Sequence, residues 1–173
     1  RGVERDVGEA MRWYEEAAES DVVGAQYRVA TCYMEGKDGV KKKIKTAVKW
    51  MRRAAHHHHE DAMYQYGNIC RGGKGGTKRS DEDAFNWYRR AAKERVDEAS
   101  GAIVSLGSLE AQYAIAMMYG RGRGVEQSDH KALEWYTVCA ERRHVESEFA
   151  LGNMYINGRG CRQSDTNAVK WYN

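Results

Sequence analysis

The sequence predicts an all-α fold of stacked helical repeats. Three observations predict it. Trp13-Tyr14, Trp50-Met51, Trp87-Tyr88, Trp135-Tyr136 and Trp171-Tyr172 follow one another at steps of 37, 37, 48 and 36 residues. A repeat period of roughly 20–50 residues marks supersecondary units that bury their apolar faces only against one another. Small and apolar residues flank each return at helical spacing, and the 173 residues contain no Pro but 18 Gly, which suits helices joined by glycine turns.

Each unit reads as two helices. The first opens on a small residue, Ala25, Ala62, Ala111 or Ser147. Four residues on stand Val29, Tyr66, Ile115 and Leu151, and four further Tyr33, Cys70, Tyr119 and Tyr155. That i, i+4, i+8 spacing is one helix face. Ala30, Gly67, Ala116 and Gly152 lie beside it and admit a close neighbour. Gly36, Gly73, Gly122 and Gly158 fall where each helix ends, since Gly enters the left-handed C-cap without steric cost. A glycine turn follows, one residue longer at 36–40 and 73–77 than at 122–125 and 158–161. The second helix opens on Ser80-Asp81, Ser128-Asp129 or Ser164-Asp165, a capping hydroxyl and a first-turn carboxylate that meet the unpaired N–H groups and the helix dipole. Lys43-Ile44 stands there in the remaining unit, so that start is expected to be the most frayed. Ala84, Ala132 and Ala168 precede each Trp by three residues, and Ala91 or Cys139 follows four later. The sequence places Ala, Trp and Ala at i, i+3, i+7 in one buried stripe.

These residues together resemble the Sel-1-like repeat, a relative of the tetratricopeptide repeat, most closely over 111–140 and 151–172. Ala116 in place of Gly, Met51 in place of Tyr and the missing acid near Ile44 depart from its pattern. The resemblance implies a right-handed superhelical α-solenoid of antiparallel helix pairs, about four and a half repeats here, acting as an interaction scaffold or adaptor within a larger complex. The expected organisation is a half repeat at 1–22, repeats at 23–59, 60–96 and 109–144, a truncated repeat at 145–173, and an insert at 97–108. The chain opens in a glycine turn at Gly2-Val3 and closes inside a second helix, so a piece of a longer array is expected.

The insert reads as a helix extension with a longer, locally packed loop, or as a protrusion offering Ile103, Val104 and Leu106 to a partner. Net charge is +3, but residues 37–79 hold 12 Lys and Arg against three acids. Lys41, Lys42, Lys43, Lys45, Lys49, Arg52 and Arg53 dominate that tract. They define an alternative site for nucleic acid or a ribonucleoprotein. Trp50, read as core, is then unavailable as a stacking platform. His56-His57-His58-His59 falls in an inter-repeat turn and reads as an exposed loop rather than a metal site. Cys32, Cys70, Cys139 and Cys161 have no C-x-x-C spacing and read as small apolar fillers. Unpaired thiols favour a cytosolic or organelle-matrix setting.

No catalytic constellation emerges. Residues 72–77 do not match a phosphate-binding loop, and 120–124 lack the preceding strand of a dinucleotide motif. Ser128, Asp129 and His130 are consecutive and cannot converge. The expectation is a non-enzyme without cofactor or metal. No run of about 18 apolar residues occurs, so no membrane-inserted helix is expected. A protein partner is expected instead, on the concave face that the resemblance assigns to the first helices. The candidate binding residues are Arg28, Thr31 and Glu35, then Gln65, Asn68 and Arg71, then Met117 and Arg121, then Asn153 and Asn157. Their three- and four-residue steps put each set on one face.

Overall fold

The computed structural model describes residues 7–37, 39–93, 95–96 and 103–172, with the backbone alone at 7, 95, 96, 103 and 104. The chain divides into two compact units, Arg1–Ser80 and Asp81–Asn173. The first holds α1 (Val7–Glu19), α2 (Val23–Glu35), α3 (Ile44–His56) and α4 (Glu60–Gly72), followed by a short 3-10 turn, Lys74–Gly76. The second holds α5 (Asp81–Ala91), strands β1 (Arg95–Val96) and β2 (Ile103–Ser105), then α6 (Leu109–Arg121), α7 (Asp129–Glu141), α8 (Val145–Asn157) and α9 (Asp165–Tyr172). Within each unit every helix packs on the next in sequence, as short connections between antiparallel helices require.

Two kinds of turn alternate. From first to second helix, Gly36, Gly73, Gly122 and Gly158 all take the left-handed conformation at the C-cap. The next second helix is then tied back by one backbone bond. Lys43, Ser80, Ser128 and Ser164 donate their N–H to the carbonyls of Tyr33, Cys70, Tyr119 and Tyr155, at 2.9, 3.0, 3.0 and 3.0 Å. Ser128 and Ser164 add hydroxyl caps to Lys131 N and Asn167 N. Lys43 offers no side-chain cap, yet α3 starts in register because this backbone bond closes the turn without one.

From second helix to the next first helix, the N–H of Val22, His59 and His144 bonds the carbonyl of Ala17, Ala54 and Cys139, each five residues earlier, at 3.0, 3.1 and 3.2 Å. The residue before each, Asp21, His58 or Arg143, sits at φ 63, 61 or 64. The insert obeys the same rule. Ser108 N–H bonds Ala91 O at 2.9 Å, and Gly107 before it takes φ 75. The extra residues therefore leave the helix pair after Ala92 and return to the same closure. Among the described residues the expected helix extension is absent. α5 ends at Ala91, and an antiparallel strand pair with Arg95 opposite Ser105 takes its place. Residues 97–102 and the side chains of Ile103 and Val104 lie outside the described residues, while Leu106 is exposed.

In each unit the core is rich in alanines. Ala18, Ala30, Ala47, Ala54, Ala62, Ala84, Ala111 and Ala116 are fully buried, joined by Val29, Ile115 and Leu151. The Trp residues are not the centre of this stripe. Met51 and Tyr88, the residues after Trp50 and Trp87, are buried to within 2% of completely, whereas Trp13 is 63% exposed and Trp50, Trp87, Trp135 and Trp171 are half-buried. Ala84, Tyr88 and Ala91 run at i, i+4, i+7, so the stripe passes one position beyond the indole. The indoles flank it, roofed in two cases by the Arg three residues on: Arg53 lies 5.3 Å from the Trp50 ring and Arg90 4.3 Å from Trp87. Cys32, Cys70 and Cys139 are buried in the same core, and Cys161 is half-buried.

Buried glutamines staple the repeats. Gln26 Nε2 donates to Ala18 O and Gln112 Nε2 to the corresponding Ala92 O. Gln112 Oε1 also accepts from Arg142 at 2.7 Å, joining α6 to the end of α7. In the turns after α6 and α8, a Cβ on Gly124 would stand 2.3 Å from Asp81 O, and one on Gly160 2.4 Å from Asp129 O. Each turn thus rests on the start of the preceding second helix.

Gly160→Ala should lower the melting temperature clearly more than Gly39→Ala, because Gly39 shares the positive φ but has open space around it. The latter change costs only the left-handed penalty, about 1 kcal/mol; circular dichroism melts of the two variants compare them. Replacing residues 93–106 by Glu-Arg, the two residues that precede the corresponding left-handed position in the α7–α8 turn, should leave the far-ultraviolet helical signal unchanged.

Candidate functional site

The first helices of the second unit, α6 and α8, run parallel with α7 between them, and a groove of about 630 Å³ opens along them. Met117 and Arg121 reach it from α6, and Asn153 and Asn157 from α8, so four of the residues singled out in the sequence share one cavity. Thr31, Glu35, Gln65 and Asn68 share a smaller one, about 170 Å³, within the first unit. Arg28 and Arg71 line neither. Arg28 sits 6.0 Å from the ring of Tyr14, and Arg71 is turned onto Asn68 Oδ1 at 3.3 Å.

The sequence reading missed the aromatic floor. Tyr27, Tyr64, Tyr113 and Phe149 each stand two residues after the small opener of a first helix, in line with Thr31, Asn68, Met117 and Asn153 four further on. Tyr27 lines the smaller groove, and Tyr113 and Phe149 the larger. The signal was present as a recurring aromatic, but it fell outside the polar pattern being traced. Tyr27 stacks on His59 at 4.5 Å, and Tyr113 packs on His144 at 4.6 Å. In each unit the N-cap histidine of the next first helix thus braces the ring. This is what the tetra-His run does. His56 ends α3, His57 approaches Asp21 at 3.7 Å, His58 makes the left-handed turn, and His59 caps α4 through Nδ1. Among the described residues no group of three or more His, Cys, Asp or Glu could hold a metal ion.

The larger groove is polarised. Val145 and Phe149, 69% and 62% exposed, form an apolar end with Tyr113. Arg121, Asn157 and Arg159 gather at the other end. From Tyr113 to Arg121 the helix advances ~12 Å. Arg159 is committed to Asp129, with Nη2 2.6 Å from Oδ1. Asn153 gives one amide N–H to Phe149 O, and its Oδ1 receives the Tyr172 hydroxyl at 3.2 Å. A second amide N–H of this groove-lining residue has no partner among the described residues. Burial pushes the Tyr136 hydroxyl up to about 12 and raises Tyr113 as well.

A nucleophile–base–acid line does occur nearby. Ser147 Oγ lies 2.9 Å from His144 Nδ1, and His144 Nε2 3.4 Å from Glu146. Ser147 is fully buried, and His144 Nδ1 also accepts the Ser147 N–H. The arrangement is therefore a helix cap with no approach for a substrate. Cys139, beside it, is pushed up to about 11 by burial, which suppresses its thiolate.

Of the basic tract, Lys41, Lys42, Lys43, Lys45, Lys49 and Arg52 are exposed. Arg53 is not a loose cation. It bonds Asp21 at 2.8 Å and holds that carboxyl below its ordinary range. Among the described residues no helix is long and apolar enough to cross a membrane.

The Sel1 repeat matches residues 1–22, 23–59, 60–95, 109–142 and 145–173. The chain belongs to the Sel1-repeat family. A Sel1 repeat protein from Oxalobacter formigenes superimposes with a TM-score of 0.86 at 31% identity over 99% of this chain. The protective antigen c5321 of uropathogenic Escherichia coli, which displays the same fold, gives 0.85 at 29%, also over 99%. This chain spans 65% of the first and 34% of the second. Comparison with curated proteins found no match. The Sel1-repeat chain is thus an all-α solenoid of helix pairs, from a family that mediates protein–protein interactions and is generally non-enzymatic.

The raised tyrosines make the fold sensitive to alkali. Unfolded tyrosine ionises near pH 10, whereas Tyr136 in the fold does so near 12. Above pH 10 the unfolded chain alone loses the proton and is favoured. Stability should hold below pH 10 and fall between 10 and about 12, and Tyr136→Phe should flatten that fall in urea titrations followed by circular dichroism.

Proposed function

We propose that this Sel1 array is a scaffold that binds a segment of a partner protein along the first helices, with the α6–α8 groove as its principal site. The observation that carries the reading is the composition of that groove: an open apolar floor from Tyr113, Met117 and Phe149 beside polar groups with capacity to spare, Arg121 and Asn153. Pockets that bind ligands combine a mostly apolar lining with a few placed polar groups. The family's general role in protein interaction points the same way. The cavity of the first unit offers a lesser site of similar make-up at Tyr27, Thr31 and Asn68.

The exposed row Lys45, Lys49 and Arg52 on α3, preceded by Lys41 and Lys42, is the competing surface for a polyanion. Peptides selected on the array from a random display library separate the two. Under the groove reading, selected peptides lose at least tenfold in affinity to Asn153→Ala and to Phe149→Ala, and are indifferent to Lys45→Ala combined with Lys49→Ala. The groove reading fails if the lysine variant loses binding and the groove variants do not, with an affinity that falls steeply between about 50 and 200 mM salt.

A further inference from the structure

Resting on the groove reading above, we propose that the occupant is an extended stretch of a partner protein carrying an apolar side chain and, three residues away at the Arg121 end, the side chain of an Asp or Glu. Charge complementarity is the first argument. The charged groups of the groove are Arg121, Arg159, Asp129 and Glu146. Arg159 and Asp129 satisfy each other, and Glu146 lies 3.4 Å from His144. Arg121 makes no hydrogen bond or ion pair among the described residues, so its end of the groove presents a positive charge, while the carboxylate of Glu146 stands at the other end. A guanidinium offers five N–H donors in a planar fork suited to a carboxylate.

Position gives the polarity. Glu146 stands at the apolar end with Val145 and Phe149, where a second carboxylate would be repelled. Arg121 stands at the far end of α6, ~12 Å of helix from Tyr113. An extended chain advances ~3.3 Å per residue, so three steps, ~10 Å, carry a side chain from the Tyr113–Phe149 floor to Arg121. A volume of about 630 Å³ is that of an ordinary small-ligand pocket; it seats a few extended residues, not a helix roughly 10–12 Å across. Midway, Asn153 lines the groove and keeps a second amide N–H with capacity for a backbone carbonyl, which favours a peptide over a small acid.

The probes are four tetrapeptides, acetylated and amidated so that no terminal charge contributes: Phe-Ser-Gly-Asp, the same with Asn in place of Asp, with Lys in place of Asp, and with Ala in place of Phe. Each is titrated into the full chain and followed by amide resonance shifts. The acidic peptide is expected to move Tyr113, Met117, Phe149 and Asn153, and to bind at least tenfold tighter than its Asn and Ala forms. In Arg121→Glu the preference is expected to invert toward the Lys peptide, which also shows that the variant is folded. Equal binding of the Asp and Asn peptides in the groove, or an unchanged preference in Arg121→Glu, overturns the acidic-segment proposal and leaves the groove reading standing. If none of the peptides moves the groove resonances, the proposal is wrong as well; the groove reading itself is then decided by whether library-selected peptides depend on Asn153 and Phe149.

Discussion

Close approach of helix backbones at buried alanines, within each unit, is the constraint on which the rest of the structure depends. Ala18, Ala47, Ala54, Ala62, Ala84 and Ala111 are fully buried. A methyl group at the contact line brings helix axes to the short end of the usual 8–10 Å range. Tyr88 is fully buried at this contact and Met51 nearly so, while the preceding Trp87 and Trp50 are only half-buried. The residues that give the repeat its visible rhythm are therefore displaced to its flanks, and the packing position passes to Met51 and Tyr88. Arg53 and Arg90 then cover indole faces that would otherwise meet water. Such cation–π contacts at half-exposed sites contribute about 0.5–1 kcal/mol each.

Close packing also dictates the turns. Each closure places one residue in the left-handed region and bonds the next N–H to a carbonyl of the preceding helix. Asp21, His58 and Arg143 accept that conformation without being Gly. Their cost is met by a fixed geometry that returns the chain to the correct neighbour. The insert shows how strongly the closure is specified: with twelve more residues than its sisters, Ser108 still meets Ala91. A long excursion costs little extra loop entropy, since closure grows only with the logarithm of length. The repeat tolerates it because the two ends are already held together.

The groove follows from the same arrangement. Parallel first helices separated by a second helix leave a channel between them. Whatever occupies the positions two, six and ten residues after the small opener lines that channel. In α6 these are Tyr113, Met117 and Arg121, and in α8 Phe149, Asn153 and Asn157. Along each helix the series runs from aromatic to polar, and parallel packing adds the two series into one polarised site. The groove is open, with Val145 and Phe149 exposed at one end and Arg121 exposed at the other.

The sequence by itself determined the repeat, its helix pairs and its glycine caps, because period, capping chemistry and left-handed glycines are local properties of the chain. Gly36, Gly73, Gly122 and Gly158 were legible for that reason. So was the shared face of Met117 with Arg121 and of Asn153 with Asn157. That Met51 and Tyr88, and not Trp50 and Trp87, enter the core was decided only by the neighbouring helices, since one position of rotation separates the two. Likewise, only packing revealed that Arg71 turns onto Asn68, that Arg53 is spent on Asp21, and that the histidine run is bracing for Tyr27. Arg53 and Tyr27 depend on partners 32 residues away, which no local pattern encodes, and Arg71 had a choice between its neighbour Asn68 three residues back and the groove that the helical spacing alone did not decide.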